Sequence, residues 1–271
     1  MTHANSVAHD VAGLLNAPFA AEAGGLMENA LMVGLSRQLV LRKKMNITAN
    51  NIANMSTTGF KVEKILLQRF NQTGASQADG PATVSFVKDR GMVRDFRTGQ
   101  IEHTGRALDL ALSGRGFFVV ETDDGIRYTR DGRFSVDNNG TLSTADGKAV
   151  LDDSDSPIVL NTTDETPVIT KAGSVQVGGQ EIARLKIADF AALSTLHKTG
   201  EGRFEAPADA PELTVQNPNI MQSALERSNV VPIMEMNRMI EITRSYQSIS
   251  NLLNQEQNLT RRAIQRLGSV R

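Results

Sequence analysis

The sequence has no cysteine and no tryptophan, only two tyrosines, and aromatic residues fill just 4% of its 271 positions. The absence of cysteine excludes disulfide scaffolds, thiol chemistry and zinc sites built on thiolates. So few large aromatic side chains leave a modest core for this length, which predicts that part of the chain folds only against partners. A net charge of −1 excludes a nucleic-acid binder that works by neutralising phosphates. No apolar run reaches the roughly 18 residues that cross a bilayer, so direct membrane insertion is not expected. The first residues, Met1 to Gly25, carry no early Lys or Arg, include Asp10, and are interrupted by Asn16 and Pro18. That is not the pattern of a cleavable secretory signal.

What the sequence does have is two long helical stretches at opposite ends of a middle that reads as strands and turns. In the first stretch, positions 31, 35, 38, 42, 45, 49 and 52 form a series of alternating threes and fours: Leu31, Leu35, Gln38, Arg42, Met45, Ala49 and Ile52. The seam is apolar at its ends and polar in the middle. Four asparagines follow within residues 46–54, and Gly59 closes the element with a residue free to take positive φ. The second stretch has Pro232 in its first turn and Glu235 at its positive end, with Arg261, Arg262 and Arg266 near its finish. Its seam runs through Met239, Ile242, Tyr246, Ile249, Leu253, Glu256, Thr260, Ala263 and Leu267.

Between them, Phe117–Val120 and Ile126–Thr129 flank Asp123-Asp124-Gly125, and Phe134–Val136 and Thr141–Ser143 flank Asn138-Asn139-Gly140. Asp-Gly and Asn-Gly favour the primed turns of β-hairpins because those turns need positive φ. Val175–Gly179 and Ile182–Asp189 suggest a further hairpin. The expected fold is α+β: long N- and C-terminal helices pairing as a coiled-coil-like assembly core around a central antiparallel β domain. The expected divisions are a disordered extension over 1–26, a helix over 27–60, an extended connection over 61–106, the β domain over 107–205, a return linker over 206–222 and a helix over 223–271.

Motifs that could carry chemistry do not survive inspection. Gly114-Arg115-Gly116 lacks the third glycine of a dinucleotide fingerprint and runs into a strand, so it reads as a bend. Asp146-Gly147-Lys148 has Leu142 where a phosphate loop needs glycine and Ala149 where it needs Ser or Thr. His3, His9, His103 and His197 have no ligand spacing, and Asp152, Asp153 and Asp155 lack the glycine and the terminal Glu of a calcium loop. Arg42-Lys43-Lys44 reads as a solvated helix face. No catalytic residue, metal site or cofactor site is expected. The asparagine-rich helix end is the exception to this blandness. Side-chain amides both donate and accept, which suits specific contacts with neighbouring subunits in a packed wall.

Three segments resemble a known family. Ala49-Asn50-Asn51-Ile52-Ala53-Asn54 with Thr57-Thr58-Gly59-Phe60-Lys61 is similar to the N-terminal signature of bacterial flagellar axial proteins. Leu108–Phe118 with Tyr128–Phe134 resembles the opening of the β domain in its rod and hook members, and Leu225–Val230 with Glu235-Met236, Met239-Ile240 and Arg244-Ser245-Tyr246 resembles the C-terminal signature. Length and the single β domain point to the flagellar basal-body rod proteins, and Asn237–Tyr246 is more similar to the proximal rod members than to the distal ones, which stay as the alternative.

The resemblance implies a structural protein and not an enzyme: subunits that polymerise helically into the drive shaft spanning the periplasm, with paired terminal helices in the core and the β domain outward. The implied partners are copies of itself, other flagellar rod proteins and the flagellar type III export apparatus, which would deliver it without a cleaved signal. Subunit packing is then expected at Leu31, Leu35, Met45, Asn50, Asn51, Ile52, Asn54, Gly59, Phe60, Met239, Ile242, Tyr246, Ile249, Leu253 and Leu267. The family usually begins close to where Met27 stands, so Met27 is expected to be the true initiator. A competing reading is a secreted β-domain binding module with oligomerising helices; the polar middle of the first seam suits a wall of several partners better than a simple coiled coil.

Overall fold

The computed structural model describes residues 18–72, 84–160 and 166–268. In chain order the elements are α1 (Pro18–Ala53), β1 (Glu63–Gln72), β2 (Val84–Arg94), β3 (Ile101–His103), β4 (Leu110–Leu112), β5 (Phe117–Thr122), β6 (Gly125–Thr129), β7 (Phe134–Val136) and β8 (Leu142–Thr144). They continue with β9 (Val168–Ile169), β10 (Ser174–Val177), β11 (Gln180–Arg184), β12 (Ile187–Phe190), a single 3-10 turn at Leu193–Thr195, β13 (His197–Gly200), β14 (Arg203–Glu205), β15 (Glu212–Thr214), β16 (Ile220–Gln222), β17 (Ala224–Glu226) and α2 (Pro232–Gly268). This is an α+β chain in which every strand pairing with a resolved register is antiparallel.

The described residues fall into two compact units. One comprises 18–46, most of the β1–β2 ribbon (65–72 and 84–91) and α2 from residue 238; the other comprises 47–64, 92–160 and 166–237. In the first unit, Gly34 is buried on α1, and a Cβ added there would come within 2.8 Å of Leu253 Cδ2 on α2. A residue without a side chain lets the two helices approach closely at that point.

In the second unit the core forms around β5. Phe118 and Val120 face one cluster with Leu110, Phe134, Leu142, Val150 and Ile187; Phe117 and Val119 face another with Tyr128, Phe190, Leu196 and Phe204. Alternate residues of a strand point to opposite faces, so a strand buried on both faces needs an unbroken apolar run, and Phe117-Phe118-Val119-Val120 supplies it. Few as they are, the aromatics are concentrated here: Phe117 meets Phe96, Phe190 and Phe204 with ring centroids 5.6, 6.3 and 5.7 Å away. β5 sits inside a six-stranded sheet of order β13-β14-β6-β5-β12-β15. The β5–β6 hairpin turns at Asp123–Asp124, β7–β8 at Asn138–Gly140 and β10–β11 at Gly178–Gly179.

Several expected boundaries need correction. Helix α1 starts at Pro18 rather than 27 and ends at Ala53 rather than 60. Proline is pre-organised for a first helical position, and the alanines after it are the strongest helix formers. Residues 18–26 are therefore helical, and 1–17 lie outside the described residues. At the other end the chain leaves the helix because Asn54 Nδ2 caps the Asn50 carbonyl at 2.8 Å and Gly59 takes φ +70°. Residues 61–106 hold the β1–β2 ribbon and β3. The stretch 206–222 contains β15 and β16, which pair with β12 and β4. Helix α2 begins at Pro232, not 223, since Ala224–Glu226 is a strand paired with β3. The β unit thus extends beyond 107–205 at both ends.

One pH response follows from this core. Tyr128 donates to Glu212 Oε2 at 2.7 Å, and burial, then that carboxylate, raises its phenol well above the ordinary range. A raised folded value means stability that is full below the unfolded value of about 10 and is lost as pH rises beyond it. Melting of the full chain should therefore fall between pH 9 and 11 more steeply than in Tyr128→Phe. Comparing the two chains cancels the contribution of other alkaline groups such as Lys61. Parallel curves would overturn this.

Candidate assembly surfaces and the frame behind them

The fifteen expected packing positions separate into three groups. Leu31 and Leu35 are exposed in the single chain. Met45, Asn50, Ile52, Asn54, Met239, Tyr246, Ile249 and Leu253 are half-buried, and Ile242 is buried. Asn51, Gly59 and Phe60 are buried within the second unit. Leu267 lies on α2, and its side chain is outside the described residues.

On α2, Met239, Ile242, Tyr246, Ile249, Leu253 and Glu256 of the expected seam are at least half covered, Thr260 is exposed, and the side chains of Ala263 and Leu267 lie outside the described residues. Helix α1 follows its seam only in part. Gln38, Met45 and Ile52 of the expected series are covered, together with Gly34, Leu41 and Thr48, whereas Leu31, Leu35, Arg42 and Ala49 are exposed. Leu31, Met32, Leu35 and Leu39 are left facing solvent, as are Ile240, Leu252, Leu259 and Ile264 on α2. Large apolar side chains repeated along both helices form a surface that a monomer has no reason to keep bare.

The asparagine-rich helix end has a different role from the one expected. Asn51 is fully buried; its Oδ1 accepts from Glu63 N–H at 2.9 Å, and its Nδ2 donates to Glu63 O at 2.9 Å and to Glu235 Oε2 at 3.1 Å. Both of its amide donors are used inside its own chain, and the residue is buried away from any neighbour. Asn50 Nδ2 donates to Glu63 Oε2 at 3.0 Å. The side chain of Asn51 pairs with the backbone of Glu63 on both sides, as a neighbouring strand would, so the helix end is pinned to the start of β1.

Gly59 is equally intramolecular. Its N–H donates to Glu226 O at 2.8 Å, and a Cβ there would meet the Arg130 carbonyl carbon at 2.6 Å. Phe60 packs with Val62 and Val230, with Lys198 Nζ over its ring at 4.7 Å. Asn229 holds the same junction, accepting from Val62 N–H at 2.8 Å and donating to Asp95 O at 2.7 Å.

At the centre lies a group that sequence reading missed. Glu226, with no exposed side-chain area, forms ion pairs with Lys61 through Oε1 and with Arg130 through Oε2, the latter at 3.1 Å. Gly99 N–H adds a hydrogen bond to Oε1 at 2.8 Å. Lys61 Nζ also donates to Arg97 O at 2.9 Å and Arg130 Nη2 to Gly114 O at 2.7 Å, while the Arg130 guanidinium lies 5.2 Å from the Phe117 ring centroid. Burial pushes both Lys61 and Arg130 below their ordinary values, and Glu226 pulls each back. Two cations share one carboxylate in the interior, and Arg130 Nε has no hydrogen-bond partner. Lys61 and Glu226 are 165 positions apart, and Arg130 and Glu226 are 96 apart. No local pattern could have joined them.

His103 lies on β3 and His197 on β13, and Asp152 is spent on its own turn, accepting from Ser154 and Ser156 N–H at 2.9 Å. Gly114 and Gly116 take φ of 129° and 113°, the bend expected there.

The comparisons match this arrangement segment by segment. A family model for the flagella basal body rod protein matches residues 31–61, one for the flagellar hook protein FlgE/F/G D1 domain matches 111–177, and one for the flagellar basal body rod FlgEFG protein C-terminal region matches 221–266. Each matched segment supplies one member of the buried triad: Lys61, Arg130 and Glu226. Flagellar basal-body rod protein FlgF of Caulobacter vibrioides is 40% identical over 244 residues, covering 90% of this chain and 100% of that protein. The FlgF protein of Rhizobium meliloti is 35% identical over 253 residues, with coverage of 90% and 100%. Flagellar basal-body rod protein FlgG of Bacillus subtilis is 30% identical over 253 residues, with coverage of 84% and 94%.

Proposed function

The chain belongs to the flagellar basal-body rod protein family, and from that premise we propose how its two units divide the work of assembly. It is a structural subunit of the rod, FlgF-like, and not an enzyme. Copies polymerise helically with other rod proteins in the proximal part of the rod. The terminal helices pair in a coiled-coil-like manner and pack into the wall that lines the shaft, and the β unit faces outward. The flagellar type III apparatus exports the chain without a cleaved signal peptide.

The observation that carries the reading is the contrast between the units. The second buries a complete core and its own charge network. The first leaves Leu31, Leu35, Leu39, Leu252 and Leu259 uncovered. Contacts that repeat head to tail without closing build a tube, and uncovered helix faces are what such contacts consume.

Hydrogen exchange tests this directly. In the purified chain, amides of 18–46 and 238–268 should exchange rapidly, because few buried contacts hold those helices closed. In isolated basal bodies the same amides should be protected, while those of β5, β6 and β12 stay slow in both. Helices that remain unprotected in basal bodies would remove the basis of the proposal.

A further inference from the structure

We propose that a basic groove on the second unit receives the β5–β6 hairpin tip of a second copy of this chain. The proposal rests on the rod-subunit reading and adds a specific contact to it. The groove measures about 710 Å³ and has an apolar lining of Val93, Phe96 and Leu193 beside Lys64, Arg94, Arg97 and Arg115.

Its positive charge has an identifiable origin: three carboxylates in and behind it each serve two cations. Asp95 is shared by Arg97 and Lys64, at 2.6 and 3.7 Å. Glu63 is shared by Arg94 and Lys198, at 3.1 and 3.4 Å. Glu226 is shared by Lys61 and Arg130, which bond respectively to the carbonyls of Arg97 and Gly114 in the groove wall. Only Arg115, with Asp189 at 2.8 Å, is balanced. The acids are largely covered, whereas the side chains of Arg97 and Arg115 are 83% and 66% exposed. The excess that reaches solvent is positive.

The complementary shape is on the same strand. Beyond the far end of β5 the turn presents Asp123 and Asp124, with Glu121 beside them and exposed Ile126 just after. Lys148 offsets Asp123, at 2.6 Å, which leaves Glu121 and Asp124 as surplus negative charge beside an apolar side chain. That is the partner an apolar, basic groove calls for.

Arg115 precedes β5 and Asp123 follows it. At about 3.3 Å per residue the two ends stand roughly 20–25 Å apart. One copy cannot bring them together, and a second copy can. Such a contact is heterologous, so it passes from copy to copy around a ring or along a helix.

The natural absence of cysteine makes a clean test possible. Ser194→Cys in the groove and Ile126→Cys at the tip leave every charge in place. Two cysteines this far apart cannot bond within one chain, since a disulfide needs Cα atoms within about 7 Å. Basal bodies from cells carrying both, once oxidised, should give a ladder of dimers, trimers and higher species on a non-reducing gel, and either single variant should give none. Asp123→Lys with Asp124→Lys should cut incorporation about tenfold, and adding Arg97→Glu with Arg115→Glu should restore it. Circular dichroism of the purified full chains checks that the variants fold. No ladder in basal bodies that contain the protein, or cross-links only to a different rod protein, overturns the proposal and leaves the rod assignment standing. Absence of the protein from basal bodies would overturn both.

Discussion

Replacing Glu226 with Gln should destabilise the β unit by about 3–5 kcal/mol, the usual cost of removing one partner from a buried ion pair. The substitution keeps the side chain's shape, so the loss is electrostatic. Lys61 and Arg130 would remain inside with no counter-charge, and the new amide would place a donor against one of them. Against a typical total of about 5–15 kcal/mol, that is a large share. Urea unfolding of the full chain, followed by circular dichroism, measures the change through its midpoint.

A second variant separates charge from packing. Lys61→Met, Arg130→Met and Glu226→Leu together remove all three charges, and buried ion pairs replaced by apolar residues are often neutral in stability. The triple variant should therefore be more stable than Glu226→Gln alone. A shift below about 1 kcal/mol in Glu226→Gln, no larger than that of an average point substitution, would show that the triad does not hold the unit together.

The triad also marks where sequence reading stops. The hairpins at Asp123–Gly125 and Asn138–Gly140 were legible because turn chemistry is local. The seam of α2 was legible because its apolar residues recur at helical spacing. The covered face of α1 was legible only at Gln38, Met45 and Ile52, since it also runs through Gly34 and Thr48, which no hydrophobic pattern picks out. The strand at Ala224–Glu226 is three residues long and is defined by its partner β3, so nothing within it distinguishes strand from helix. Asn51 was picked out as important for its amide, but what the amide binds is Glu63 and Glu235 of its own chain. The segment resemblances located the right residues; only the fold brings those segments together.

That correction changes where assembly should be attacked. Ile249 and Leu253 are already half covered in the single chain, so Ile249→Asp would disturb folding and assembly together. Leu35 and Leu252 are the better sites, 49% and 53% exposed. In a monomer, Leu35→Glu with Leu252→Glu keeps good helix formers in contact with water, and surface changes of this kind stay within about 0.5 kcal/mol each. In a packed wall the same carboxylates would lose their water, at a cost of several kcal/mol unless they are neutralised. The expected result is a chain that is soluble, exported and normally folded by circular dichroism, in cells that build no filament and do not spread in soft agar. Asn251→Glu, one position away and exposed, is the control and should leave motility intact. Normal swimming by the double variant would mean that these faces are not buried in the rod. Failure of the purified variant to fold would mean that the helices depend on them already as monomers. Because the triad lies wholly within the other unit, Glu226→Gln should give the opposite pattern: low protein yield and a lowered melting point, with the helix faces untouched.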